Sequence, residues 1–241
     1  MKIRIERTES EFDLAAAWRI VAQMVTCPEG VIGLSTGRTT GNMHRLAARI
    51  HAEFPFDVSG TTVVGLDEVM GVPREFQGSC WKMLSTEIVD DLGIDAKNFL
   101  MLPVSSDDYV RDCRAFTEEI ARRGGLSLLM LGVGENGHLG FNQPGSPFDS
   151  RCRVSQMHPD LEARLRREVG LPEESPMGGV TLGMADIMKA ERIVLVAKGE
   201  NKAGIVRQLL EGPVTESVPA SILQMHPDCE VLLDSAAASL I

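Results

Sequence analysis

No segment of the 241-residue chain approaches the ~20 consecutive apolar residues that a membrane-crossing helix needs. Internal repeats, low-complexity tracts and Pro/Gly/Ser linkers are missing too, so a single domain spanning 1–241 is expected. Cysteine is sparse and unpatterned. Cys27, Cys80, Cys113, Cys152 and Cys229 are odd in number, with no CxxC and no zinc-ligand spacing. That argues against a disulfide framework and a structural metal, and for a reducing, cytoplasmic setting with free thiols. Positive charge is in deficit: 24 Lys and Arg against 34 Asp and Glu, net −10. Such a surface disfavours nonspecific nucleic-acid or anionic-membrane binding, yet permits a local site that captures an anion. The opening MKIRIERTESEF alternates basic residues with Ile and then turns acidic. It reads as an edge strand rather than a signal peptide.

The 44% hydrophobic content can bury a sizeable core. Short, nearly continuous apolar runs fall at 31–35, 62–66, 126–132, 192–197 and 230–233. Runs of that kind suit parallel strands covered on both faces. Between them, helical periodicity predicts helices over 11–25, 41–53, 79–92, 107–123 and 201–210. The alternation predicts an α/β fold: a doubly wound, mostly parallel sheet with helices on both faces. The least regular stretch is 140–177, with several prolines and a charged segment at 160–168. A lid at about 145–177 is one reading, and an ordinary surface helix between loops is the other.

In such sheets ligands collect at the carboxyl ends of the strands. The loop after the first strong strand, Gly33-Leu34-Ser35-Thr36-Gly37-Arg38-Thr39-Thr40-Gly41, is small and hydroxyl-rich and leads into a helix. Small residues let backbone N–H groups approach an anion, the helix start favours negative charge, and Arg38 adds a cation. GK[ST] and GxGxxG are both missing, which counts against a nucleoside triphosphate or a dinucleotide. The second loop carries Asp67-Glu68 directly after an apolar strand. One carboxylate of such a pair should face the crevice, where partial desolvation makes it a usable base. The third, Gly132-Val133-Gly134-Glu135-Asn136-Gly137-His138-Leu139-Gly140-Phe141-Asn142-Gln143, presents one histidine among glycines and amides. Histidine shuttles protons near neutral pH, and glycines allow close ligand approach. Lys202 lies near the same rim, at a helix start. Each motif alone has a plainer explanation: a strand-to-helix turn, a solvated strand end, a capping histidine, a surface lysine. Together they are equipment for moving protons on a phosphorylated small molecule.

The stretches GLSTGRTTGNM, VVGLDEVMGVP, LLMLGVGENGHLGFNQPGSPF, GVTLGMADIMKAERIVLVAKGENKA and VPASILQMHPDCEVLLD follow one another along nearly the whole chain. In type and order they resemble the glucosamine-6-phosphate deaminase/isomerase family. The closing segments and Gly78-Ser79-Cys80 look most similar to its galactosamine-6-phosphate branch, and the 6-phosphogluconolactonases are related. The resemblance implies a Rossmann-like fold and an aldose–ketose isomerisation that releases ammonia from an amino sugar phosphate, without metal or cofactor. Residue by residue, it makes Asp67 the base that moves a proton between C1 and C2. It makes His138 the ring-opening residue, with Asn136 and Gln143 at partner positions. It assigns substrate contact to Ser35, Thr36, Gly37, Arg38, Thr39, Glu68 and Gly134. It gives phosphate contact to Lys202 and to a lid arginine, for which Arg167 is the best match and Arg164 and Arg166 are neighbours.

Two departures stand out. Arg38 replaces a small residue of the phosphate loop. Gln143 replaces the glutamate whose charge would stabilise a protonated His138. The expected partner is a small sugar phosphate, with no nucleic acid or membrane. A homo-oligomer is admitted, though no interface is readable. The rival expectations are a 6-phosphogluconolactonase-type hydrolase and a sugar-phosphate-binding protein with reduced catalysis.

Overall fold

Successive residues of a strand point to opposite faces of its sheet, so a run that is apolar at every position must be covered on both sides. The computed structural model, which describes every residue except Leu171 and Glu173, meets that requirement. Its strands are β1 (Lys2–Glu6), β2 (Val31–Leu34), β3 (Thr62–Gly65), β4 (Asp67–Met70), β5 (Phe99–Leu100), β6 (Leu126–Gly132), β7 (Arg153–Ser155), β8 (Gly178–Thr181), β9 (Ile193–Ala197) and β10 (Cys229–Asp234). Seven of them form one parallel sheet in the order β1-β10-β9-β6-β2-β3-β5.

Alternate residues divide between two cores. Leu129, Leu131, Ile193, Leu195, Val231 and Leu233 face one side. There they meet helices α5 (Tyr109–Arg122), α7 (Met184–Ile187) and α8 (Ala203–Glu211) through Phe116, Ile187 and Leu209. Ile32, Leu34, Leu128, Met130, Val194 and Leu232 face the other side. They pack on α1 (Glu9–Thr26), α2 (Gly41–Glu53) and α3 (Cys80–Leu84) through Phe12, Ala47 and Leu84. This is the doubly wound α/β sheet that the sequence predicts. The central strands are closely fitted: a Cβ on Gly33 would lie 2.5 Å from Leu129 Cδ1. Leu129 is fully buried. Leu129→Ala is expected to destabilise the chain by about 3 kcal/mol, within the range for emptied leucine sites. Urea unfolding of the two proteins measures it.

Three features differ from the sequence expectations. The helix over 79–92 is not uniform: α3 runs into a π-type segment at Ser85–Val89 and then α4 (Asp90–Leu92). Ser85 Oγ bonds Asp90 Oδ2 at 2.8 Å, and the wide turn brings Glu87 to His44 Nδ1 at 2.9 Å. The strand over 62–66 ends at Gly65, and Asp67 opens a further strand. That strand belongs to a second, antiparallel sheet of order β4-β8-β7. The sequence hides it, because DEVM, RVS and GGVT are short and polar or glycine-rich. Within 145–177 lie β7 and α6 (Pro159–Val169). Positions 171 and 173 of that stretch fall outside the described residues. Leu165 of α6 packs with Val69, Val72, Phe141 and Met157, fastening the helix to this small sheet.

Strand order decides where a ligand can enter. From β2 the chain moves outward through β3 to β5, then returns to β6 on the other side of β2. The crevice between β2 and β6 is therefore the topological switch point, where open α/β sheets bind ligands. The loops after β9, β6, β2 and β3 leave four neighbouring strands on one rim.

Candidate active site

The β2 loop turns sharply. Gly37 has φ +138°, a conformation that side chains rarely adopt. Ser35 is held in place, its Oγ accepting the Gly132 N–H at 2.9 Å across the switch point. Thr36 and Thr39 are half-buried, while Gly37 and Arg38 are exposed at the tip. The loop runs into α2, whose N-terminal amides favour an anion.

Asp67 and Glu68 separate as adjacent strand residues must. Glu68 is fully buried. Its carboxylate accepts the backbone N–H groups of Val69, Cys80 and Trp81, each at 2.8 Å. In this position Glu68 holds the start of α3. Asp67 points the other way. Burial, reinforced by the nearby Glu68 charge, pushes its carboxyl up to about 7. Its Oδ1 faces Cys80 Sγ at 3.6 Å. Its Oδ2 lies close to Gly140, whose φ is +56°: a Cβ there would come within 3.1 Å of that oxygen and 2.8 Å of Thr181 Oγ1. Gly140 stands two residues after His138. The loop that carries His138 therefore passes close to the Asp67 carboxyl.

The orientation of His138 follows from its own backbone. The His138 N–H donates to Asn136 Oδ1 at 3.2 Å, which fixes the end of that amide facing the ring. The same oxygen lies 2.7 Å from Nδ1, so Nδ1 carries the hydrogen and Nε2 keeps a lone pair. Asn136 Nδ2 then donates to Gln143 Oε1 at 3.1 Å. Every partner in this line is neutral. Burial, with the charges of Lys202 and His158, brings the imidazole down to about 4. Gly134 leaves the room: a Cβ there would sit 2.1 Å from ring atoms. Glu135, the one acid of this loop, turns aside and accepts Asn201 Nδ2 at 2.6 Å.

Lys202 is half-buried just after β9. Burial and the facing Arg38 guanidinium lower its pKa, and Glu135 raises it. Lys202 and Arg38 thus bring two cations near the β2 loop, with Glu135 beside the lysine. Arg167 is not joined to this group. It is exposed on α6 and makes no hydrogen bond to the other candidate residues among those described. Arg164 pairs with Glu168, and Arg166 with Glu162 and the Pro172 carbonyl. His158, which caps α6, does act electrostatically on His138. An open groove of about 520 Å³ runs between Gln143 and His158. The sequence reading missed Cys80 and Thr181. Neither has a motif of its own, and only the pairing of β4 with β8 puts Thr181 opposite Asp67. Among the described residues no cluster of His, Cys, Asp and Glu could hold a metal ion. None of their helices is long and apolar enough to cross a membrane.

A parallel sheet with a glycine- and hydroxyl-rich loop at its switch point, and a buried carboxyl and a half-buried imidazole on loops of the same rim, is the class of α/β fold that binds small molecules there. Residues 8–232 match the family described as glucosamine-6-phosphate isomerases/6-phosphogluconolactonase, and the chain belongs to it. It is 32% identical over 241 residues to a glucosamine-6-phosphate deaminase of Halothermothrix orenii, covering 100% of both chains. It is 32% identical over 232 residues to one of Bacillus velezensis, covering 96% of each. A solved structure of a monomeric glucosamine-6-phosphate deaminase superposes with a TM-score of 0.92 at 31% identity, covering 100% of both chains. The 6-phosphogluconolactonase of Trypanosoma cruzi shares the fold, with a TM-score of 0.78 at 21% identity over 99% of this chain and 96% of that one.

Proposed function

We propose that the protein isomerises and deaminates a hexosamine 6-phosphate, giving a ketohexose 6-phosphate and ammonia. The observation that carries this reading is Asp67. It is a desolvated carboxyl near neutrality, with one oxygen close to Gly140 of the histidine loop. Full-length relatives named for this activity support it.

The phosphate sits in the Ser35–Thr39 loop, between Arg38 and Lys202. His138 Nε2 takes the proton of the anomeric hydroxyl, and the ring oxygen receives one as the ring opens. Asp67 then removes the proton from C2 while the C2 ammonium gives one to the C1 oxygen, leaving an enolamine. Returning the C2 proton to C1 makes C1 a hydroxymethyl and C2 an iminium; water adds at C2 and ammonia leaves. The sequence is redox-neutral, so the chemistry calls for no electron carrier. Arg167 reaches the phosphate only if α6 closes as a lid, which is our reading of 145–177. Five free thiols accord with a reducing, cytoplasmic setting.

Ammonia release from glucosamine 6-phosphate and galactosamine 6-phosphate tests the reading and identifies the epimer. Release well above background from either supports it. None from both, with acid produced from 6-phosphogluconolactone, replaces it with a lactonase. A second reading has its own support. The neutral Asn136–Gln143 line gives His138 no charged partner, which suits a sugar-phosphate-binding protein with reduced catalysis. Calorimetric binding of either hexosamine phosphate without ammonia release selects it.

A further inference from the structure

Cys80 has no task in the chemistry above, yet its thiol joins two parts of the site. It opens α3 and is 4% exposed. Thr36 Oγ1 donates to its sulfur at 3.2 Å, and the S–H donates to Asp67 Oδ1 at 3.6 Å. Its own backbone N–H is fixed on Glu68 Oε1 at 2.8 Å. That bond fixes the main chain from which the thiol projects, at the start of α3. Burial and the two carboxyls keep the thiol protonated, so it serves as a donor and not as a nucleophile.

We propose that Cys80 is a positioning residue: its thiol selects Asp67 Oδ2 as the proton-transferring oxygen and links that choice to the phosphate loop through Thr36. The inference rests on the reading of Asp67 as the base. The groups facing Asp67 from the packed elements are few. Glu68 lies on its own strand, Thr181 opposite it on β8, Gly140 above it and Cys80 on α3. Among the described residues only the Cys80 thiol donates a hydrogen bond to its carboxyl. With Oδ1 so occupied, Oδ2 is the oxygen that receives no hydrogen bond among the described residues, and it lies against Gly140. Donors and acceptors in line polarise one another, so the Thr36 hydroxyl strengthens the S–H bond to Asp67. A phosphate that draws the Thr36 hydroxyl to itself relaxes that bond and leaves Asp67 more basic once substrate is bound.

The experiment uses the full chain and has two readouts. One is the titration of the Asp67 carboxyl carbon by ¹³C NMR, assigned by its loss in Asp67→Asn. The other is kcat and KM for ammonia release. In Cys80→Ala the Asp67 midpoint rises, kcat falls about tenfold and KM changes less than about threefold. Cys80→Ser, which keeps a donor, restores most of both. Thr36→Val lowers kcat less, and the Thr36→Val/Cys80→Ala pair loses no more than Cys80→Ala alone. A purely structural cysteine would leave the midpoint in place. An unchanged midpoint in Cys80→Ala overturns the proposal, whether or not the wild type releases ammonia. A silent wild type with a shifted midpoint overturns only the assigned reaction.

Discussion

Asp67→Asn is expected to lower kcat by about 10³-fold, the mid-range for a positioned general base, and to leave KM nearly unchanged. The amide keeps the shape and the neighbours of the carboxyl but cannot accept a proton from carbon. In the wild type the base works only when ionised. With the carboxyl at about 7, the rate should fall as pH drops through neutrality, well above the range of an ordinary aspartate. The stability effect runs the other way. The folded pKa stands above the unfolded one, so the folded state holds a proton that the unfolded chain releases between the two values. Stability contributed by this group is present below about 4 and lost as pH rises through about 7. Asparagine escapes that loss. Asp67→Asn should melt with the wild type at acid pH and above it at pH 8, where calorimetry can compare them. Full activity in the variant removes Asp67 from the chemistry.

The central sheet was legible because the information sits in local pattern. Val31 to Leu34 and Leu128 to Leu131 carry no polar side chain, and burial on both faces explains that. Asp67 and His138 were legible for another reason. Each follows the carboxyl end of a parallel strand, β3 and β6, and a doubly wound sheet gathers those ends on one rim. What escaped was structure that depends on partners distant in sequence. β4 pairs with β8 more than a hundred residues later, in a segment whose glycines and acids resemble loop. Glu68 holding the amides of Cys80 and Trp81 is a contact of that kind. The Cys80 bond to Asp67 was invisible for the same reason: sulfur and carboxyl meet across a turn that no spacing rule describes. Arg167 lies on α6, in a stretch whose sequence admitted either a lid or an ordinary surface helix, and there its side chain is exposed.

Gln143→Glu is expected to raise the rate of ring opening by about 10²-fold, the low end of what an electrostatic partner contributes at acid–base sites. The argument begins with the line His138–Asn136–Gln143. It orients Nε2 toward the substrate but holds no charge. When Nε2 takes the anomeric proton, the ring becomes a cation in a half-buried setting beside Lys202, and both its burial and that lysine oppose the cation. A glutamate at 143 accepts the Asn136 Nδ2 hydrogen where the glutamine does now, without moving the amide, and adds a negative charge within reach of the ring. His138 then titrates above its present value of about 4, toward the ordinary histidine range. Two measurements separate this from a general improvement. Histidine titration by NMR should show the upward shift in His138. Ammonia release should gain most when the sugar is supplied as closed ring and little when opening is bypassed. A shifted His138 without faster turnover would mean that ring opening does not limit the wild type, and that the slow step is proton transfer at Asp67. An unshifted His138 would mean that Gln143 does not act on the imidazole at all. That result would leave Glu135, turned toward Asn201 and Lys202, as the acid through which charge reaches the loop.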